Sequence, residues 1–183
     1  MQRFDQNSAS CRIYTYKDGF LSTLAHDLRI AVTSFSIEVG GKDHFIEARF
    51  DARSLQVDCA MENGAERPDL LSKLERDEIY QNIIRDVLHT ERYPEIVLLS
   101  SSVNKEGRDF LVLGSLSLHG QRREISFVVK EADNSRYMTD VTLHLPDFGI
   151  KPFSALLGAI RVKPDILINF EIPTDNIVEE FPA

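Results

Sequence analysis

Residues 114–129 read GSLSLHGQRREISFVV. On both sides of a polar, glycine-containing centre, apolar residues occupy every second position. Leu116 and Leu118 precede His119-Gly120, and Ile125, Phe127 and Val129 follow it. Strict alternation marks a strand with one buried face, and a short polar link containing Gly joins two such strands into a hairpin. The stretch therefore reads as a β-hairpin. The question it raises is what a protein assembled from such hairpins encloses.

The alternation continues outward. Segments 95–104, 109–118, 123–131 and 136–145 all have period two, and after a longer connection at 146–159 a last strand covers 160–172. Toward the N-terminus, 10–17 is β-like, 28–39 is rich in β-branched and aromatic residues, and Gly40-Gly41 signals a turn. Segment 44–51 alternates again, and 53–60 continues as a further strand. Residues 1–8 and 174–183 read as tails, and 61–69 as a loop. One stretch changes period. In SKLERDEIYQNIIRDVLH (72–89), Ile79, Tyr80, Ile83, Ile84, Val87 and Leu88 share one helical face. Ser72 with Glu75 three residues later is a capping-box pattern, so one main helix is expected at about 70–90. The pattern is all-β with one main helix, and short links make the sheet antiparallel. A closed barrel or a sandwich fits.

Composition narrows the function. The chain has 183 residues, 43% hydrophobic and 27% charged, with a net charge of −8. That length suits a single domain, 1–183, with its own core. The acidic balance opposes nucleic-acid binding, which needs a basic footprint. No apolar run approaches the roughly 18 residues of a membrane span. The polar start, MQRFDQNSAS, carries no leader-like apolar stretch. A cytoplasmic location is expected from this, or a periplasmic one if a leader preceded it. Cys11 and Cys59 lack metal-ligand or CxxC spacing and read as plain thiols.

Three segments in series resemble the YceI-like family: RYPEIVLLSSSV (92–103), LGSLSLHGQRREISF (113–127) and DFGIKPFSALLGAIRVKPDILINFEI (147–172). The resemblance covers most of residues 10–172. IIRDVLHTERYP (83–94) departs from the family's usual aromatic pair, and LAHDLRI (24–30) is typical of a subgroup. The resemblance implies an eight-stranded antiparallel lipocalin-like β-barrel that holds an elongated amphiphile: an isoprenoid, an isoprenoid quinone or a fatty-acyl derivative. It also implies an apolar small-molecule or lipid partner, with a homodimer as a further option.

The apolar faces give the expected lumen. They are Ile30 and Val32; Phe110, Val112, Leu116 and Leu118; Ile125, Phe127 and Val129; Tyr137, Val141 and Leu143; and Ile166, Ile168 and Phe170. Gly114, on the same face, is expected to leave room. His26, Phe148, Phe153 and Leu157 are candidates for one mouth. Leu111, Leu113, Val128, Met138 and Leu167 break the polar outer faces. Two coverings are open for them, the amphipathic helix, which is favoured, or a second copy of the chain. His26-Asp27 is the most enzyme-like pair, but adjacent strand side chains point to opposite faces. His44, His89, His119 and His144 are scattered, and no HExxH, GxSxG or P-loop is present. No catalytic residue, metal or cofactor is expected. Carriage of an apolar chain leads, ahead of an interaction module with a filled core and of a lipid-acting enzyme.

Overall fold

The computed structural model describes residues 2–18, 25–40, 45–132, 136–158 and 160–173. In chain order its strands are β1 (Gln2–Asp5), β2 (Ser10–Thr15), β3 (Asp27–Val32), β4 (Phe35–Gly40), β5 (Phe45–Asp51), β6 (Leu55–Glu62) and β7 (Ala65–Arg67). After helix α1 (Lys73–Asn82) follow β8 (Glu95–Glu106), β9 (Asp109–Leu118), β10 (Gln121–Ala132), β11 (Arg136–His144), β12 (Ser154–Ala155), β13 (Ile160–Arg161) and β14 (Asp165–Pro173). The opening hairpin is β9–β10, with Leu118 facing Gln121. Its turn residues His119 and Gly120 have φ of 52° and 73°. Two positive φ values define the turn whose twist matches paired strands.

All strand pairs are antiparallel, in the order β1-β4-β5-β8-β9-β10-β11-β14-β2-β3-β6-β7, with β12–β13 as a separate hairpin. The large sheet has 12 strands, whereas eight are expected. Bending accounts for the difference. β3 and β4 are one ribbon bent at Thr33-Ser34, and β5 and β6 are one ribbon bent at residues 52–54. The ladder runs on across both bends, since Thr33 N–H donates to Ser54 O (2.7 Å) and Asp51 N–H donates to Ser34 O (3.1 Å). β1 and β2 form a third bent ribbon around residues 6–9. Corners of this kind let one strand serve two walls. With these three ribbons and β8, β9, β10, β11 and β14, the wall has eight members, and the β14–β2 pairing joins its two sides.

Four local expectations change. Residues 2–5 are not a loose tail; they pair with β4. Segment 61–69 is not a plain loop, because β6 and β7 form a hairpin about Asn63-Gly64, both at positive φ (52° and 80°). The last strand starts at Asp165, since Ile160–Arg161 pairs with β12 instead. The helix keeps its capping box, with Ser72 Oγ accepting from Glu75 N–H and the Glu75 carboxylate accepting from Ser72 N–H, but widens into a π-turn at Ile83–Val87. The expected tail at 174–183 lies outside the described residues.

The helix covers a different part of the barrel from the one expected. Ile79, Tyr80 and Ile83 pack on a cluster of Leu28, Ile30, Val57, Ala60 and Leu71 from β3, β6 and the approach to α1. Val87 and Leu88 pack on a second cluster, Leu116, Leu118, Leu145, Phe148 and Ile150. The outer apolar residues of β9 and β10 are left uncovered, with Leu113 and Val128 each 39% exposed. Leu111, Met138 and Leu167 are half-buried without the helix upon them. Among the described residues no helix is long and apolar enough to cross a membrane.

Candidate functional site

The inward faces of the wall surround an apolar cavity of about 210 Å³. Alternation places every second residue inside, and the interior carries mostly aliphatic and aromatic groups. Of the residues expected in the lumen, Val32, Leu116, Leu118, Ile125, Phe127, Val129, Tyr137, Val141, Leu143, Ile166, Ile168 and Phe170 line this cavity. Three do not. Ile30 lies under the helix. Phe110 packs edge-on against Tyr137, centroids 5.5 Å apart, in the buried cluster with Phe4 and Val39. Val112 is wholly buried. Much of the remaining wall comes from Cys11 and Ile13 on β2, Ile37 and Val39 on β4, Ile46, Ala48 and Phe50 on β5, and Ile96 and Leu98 on β8, with Asp51 the one carboxylate; Met138, expected on the outer face, also borders the cavity. The signal for these was present as alternation in HFIEARF, but which face turned inward depended on how the ribbons bend.

Gly114 leaves no room in the lumen. A Cβ there would lie 2.5 Å from Leu99 O and 2.9 Å from Ser100 Cα. Its missing side chain lets β8 approach β9 beside the register shift at Ser100–Ser102, the close-backbone use of a strand glycine.

The four mouth candidates are not brought together at the cavity. His26 is half-buried and lies near Glu75 at the start of α1. Asp27 Oδ1 accepts from Lys17 N–H at 2.8 Å, a loop hydrogen bond. Phe148 is buried with Leu145 and Ile150 and closes one end of the barrel. Phe153 is half-buried, and Leu157 is fully exposed at a φ of 56°. Two of the scattered histidines do meet: His89 Nδ1 lies 2.9 Å from His119 Nε2. His119 Nδ1 lies 3.3 Å from Phe148 O, tying the β9–β10 turn to the closed end.

The cavity's electrostatics are those of a greasy pocket. Burial pushes the Cys11 thiol up to about 12 and raises the Tyr137 phenol, because a low-dielectric site disfavours the charged form. Both stay neutral at ordinary pH. Cys59 is also a free, buried thiol. Among the described residues no three His, Cys, Asp or Glu side chains are grouped to hold a metal ion.

Comparison with known proteins agrees with this architecture. Among solved structures the chain is similar to BcnA of Burkholderia cenocepacia, with a TM-score of 0.62 at 15% identity, covering 92% of this chain and 97% of that one. It is similar to a polyisoprenoid binding domain from Saccharophagus degradans implicated in plant cell wall breakdown (TM-score 0.55, 12% identity, 90% and 91% covered). A third likeness is to a YceI protein of Campylobacter jejuni (TM-score 0.52, 11% identity, 78% and 81% covered). At these identities the likeness is one of fold. No curated protein sequence matches significantly. The YceI-like domain pattern itself matches residues 12–174, which take in most of β2, all of β3 to β14 and every residue of the cavity wall except Cys11, and on that match the chain belongs to the YceI-like domain family.

Proposed function

We propose that the protein binds and carries an elongated apolar amphiphile, an isoprenoid, isoprenoid quinone or fatty-acyl derivative, with its chain in the barrel. The observation that carries this is the cavity itself. Protein interiors normally pack as densely as organic crystals, and here about 210 Å³ stays unfilled inside a wall of apolar side chains. A core built only for stability or for presenting an outer surface has no use for such a void. The Saccharophagus degradans domain, described as polyisoprenoid binding, has the same fold and supports the same ligand class here.

The volume bounds the ligand. It lies below the roughly 300–1,000 Å³ of most small-molecule sites. The cavity therefore holds a segment of chain, and a longer chain extends beyond it. At about 0.8 kcal/mol per buried CH₂, some six methylenes contribute about 5 kcal/mol without any polar contact. Asp51 is the one carboxylate among the lining residues, the rest of the wall is mostly aliphatic and aromatic, and the Cys11 thiol is held neutral, which favours binding over chemistry. Mass spectrometry of an organic extract of the purified protein tests the reading. A prenyl or acyl lipid near one per chain is expected. An empty extract, together with no uptake of a fluorescent fatty-acyl or isoprenoid probe by the extracted protein, overturns it.

A further inference from the structure

The barrel wall is not equally sewn. β9 and β10 share nine register pairs, and β11 and β14 share nine. β10 and β11 share three: Lys130 with Met138, Glu131 with Tyr137, and Ala132 with Arg136. One further tie follows, the Thr139 hydroxyl donating to Val128 O at 2.9 Å. Below it, Gln121–Phe127 of β10 and Val141–His144 of β11 run without a shared ladder, although both are regular strands.

The two ends of the barrel are better closed. Phe4, Val39, Phe110 and Tyr137 are buried together at one end. Leu145, Phe148 and Ile150, with Val87 and Leu88, close the other. Exposure follows the same division. The inward residues of β9 are buried, with Val112 at 0% and Leu116 at 7%. Ile125 and Phe127 on β10, and Val141 and Leu143 on β11, are only half-buried and line the cavity.

We propose that the ligand passes into and out of the barrel sideways, through the seam between β10 and β11, with its polar group remaining at the rim; this rests on the carrier reading above. Opening an end requires withdrawing several buried aromatic or aliphatic side chains. Widening the seam disturbs three ladder pairs, one hydroxyl bond and the packing of half-buried Ile125 and Leu143 on the Leu145–Phe148–Ile150 cluster, and regions with few backbone bonds open most readily. The unpaired N–H and C=O groups along the seam need partners. A chain too long for the cavity leaves by the same route.

The test clamps the seam. Continuing the Lys130–Met138 register places Ser126 opposite Thr142, and both are exposed. In the Ser126→Cys/Thr142→Cys variant, oxidation joins the strands whenever the seam closes to disulfide distance. Stopped-flow uptake and release of a fluorescent fatty-acyl probe are then compared before and after oxidation. Both rates are expected to fall at least about tenfold with the equilibrium Kd changed less than about threefold, and dithiothreitol restores them. Unchanged rates in the oxidised protein overturn the lateral route. If the bond does not form, a bulky maleimide on Ser126→Cys decides. Slowing there and not in a labelled Asn104→Cys control on β8 supports the route, and equal rates in the two overturn it. A wild-type protein that does not bind the probe at equilibrium overturns the carrier reading, a result separate from either rate outcome.

Discussion

Val141 and Val112 are the same residue type on inward strand faces, yet the structure assigns them opposite responses to one substitution. Val141 is half-buried on β11 and lines the cavity, while Val112 on β9 has 0% exposure and is off the cavity wall. An apolar cavity of about 150 Å³ suffices to hold a benzene molecule, so about 210 Å³ has room for the ring of Val141→Phe. We expect the melting temperature of delipidated Val141→Phe to stay within about 3 °C of wild type, which is about 1 kcal/mol for a domain of this size. Val112→Phe adds its ring at a fully buried site away from the cavity, and overpacking of that kind costs about 1–3 kcal/mol. Binding moves the other way. If the new ring displaces about three methylenes of ligand, the loss is about 2.4 kcal/mol at 0.8 per methylene, or roughly 50-fold in Kd. Thermal melts followed by circular dichroism, with titration of a fluorescent fatty-acyl probe, read both effects. A melting temperature that falls as far in Val141→Phe as in Val112→Phe, or an unchanged probe affinity in Val141→Phe, would refute the reasoning.

Gly114→Ala should destabilise by about 1–3 kcal/mol in urea unfolding, because the atoms it meets are the backbone of Leu99 and Ser100 and cannot swing aside; a neutral result would show that β8 shifts freely. Cys11 should resist Ellman's reagent at pH 8 in the folded protein and react on unfolding, since burial holds its thiol protonated up to about 12; rapid reaction of the native thiol would contradict this. His26→Ala should change probe affinity less than about twofold, well under the 1.4 kcal/mol of a tenfold change, and leave any bound metal unaltered, because His26 is off the cavity wall and beside the helix start. A tenfold loss of affinity would place His26 at the ligand after all.

Local chemistry by itself determined the periods of the chain. Alternation in β9, β10, β11 and β14 named most of one cavity wall, since a strand side chain has only two faces to choose from. The Ser72–Glu75 pair marked the helix start, and His119-Gly120 marked the β9–β10 hairpin. The β6–β7 hairpin had an equally local signal in Asn63-Gly64, hidden because Ala65–Arg67 is too short and polar to show alternation. What only the tertiary structure decided are the relations between distant segments. The bends at Thr33-Ser34 and residues 52–54 decide which faces of β2, β4, β5 and β8 turn inward. Ile30 and Val32 share a strand face, but the helix lies over the first and the cavity beside the second. Val112 and Val141 satisfy the same pattern, and only the spacing across the barrel makes one packed and the other free. The short β10–β11 ladder leaves no mark in either strand's own sequence. A residue pattern sets which side of a strand is apolar within a few residues of chain. Whether that side meets another side chain, a helix or a void is a sum over residues far apart in sequence, and it exists only once the wall has curled.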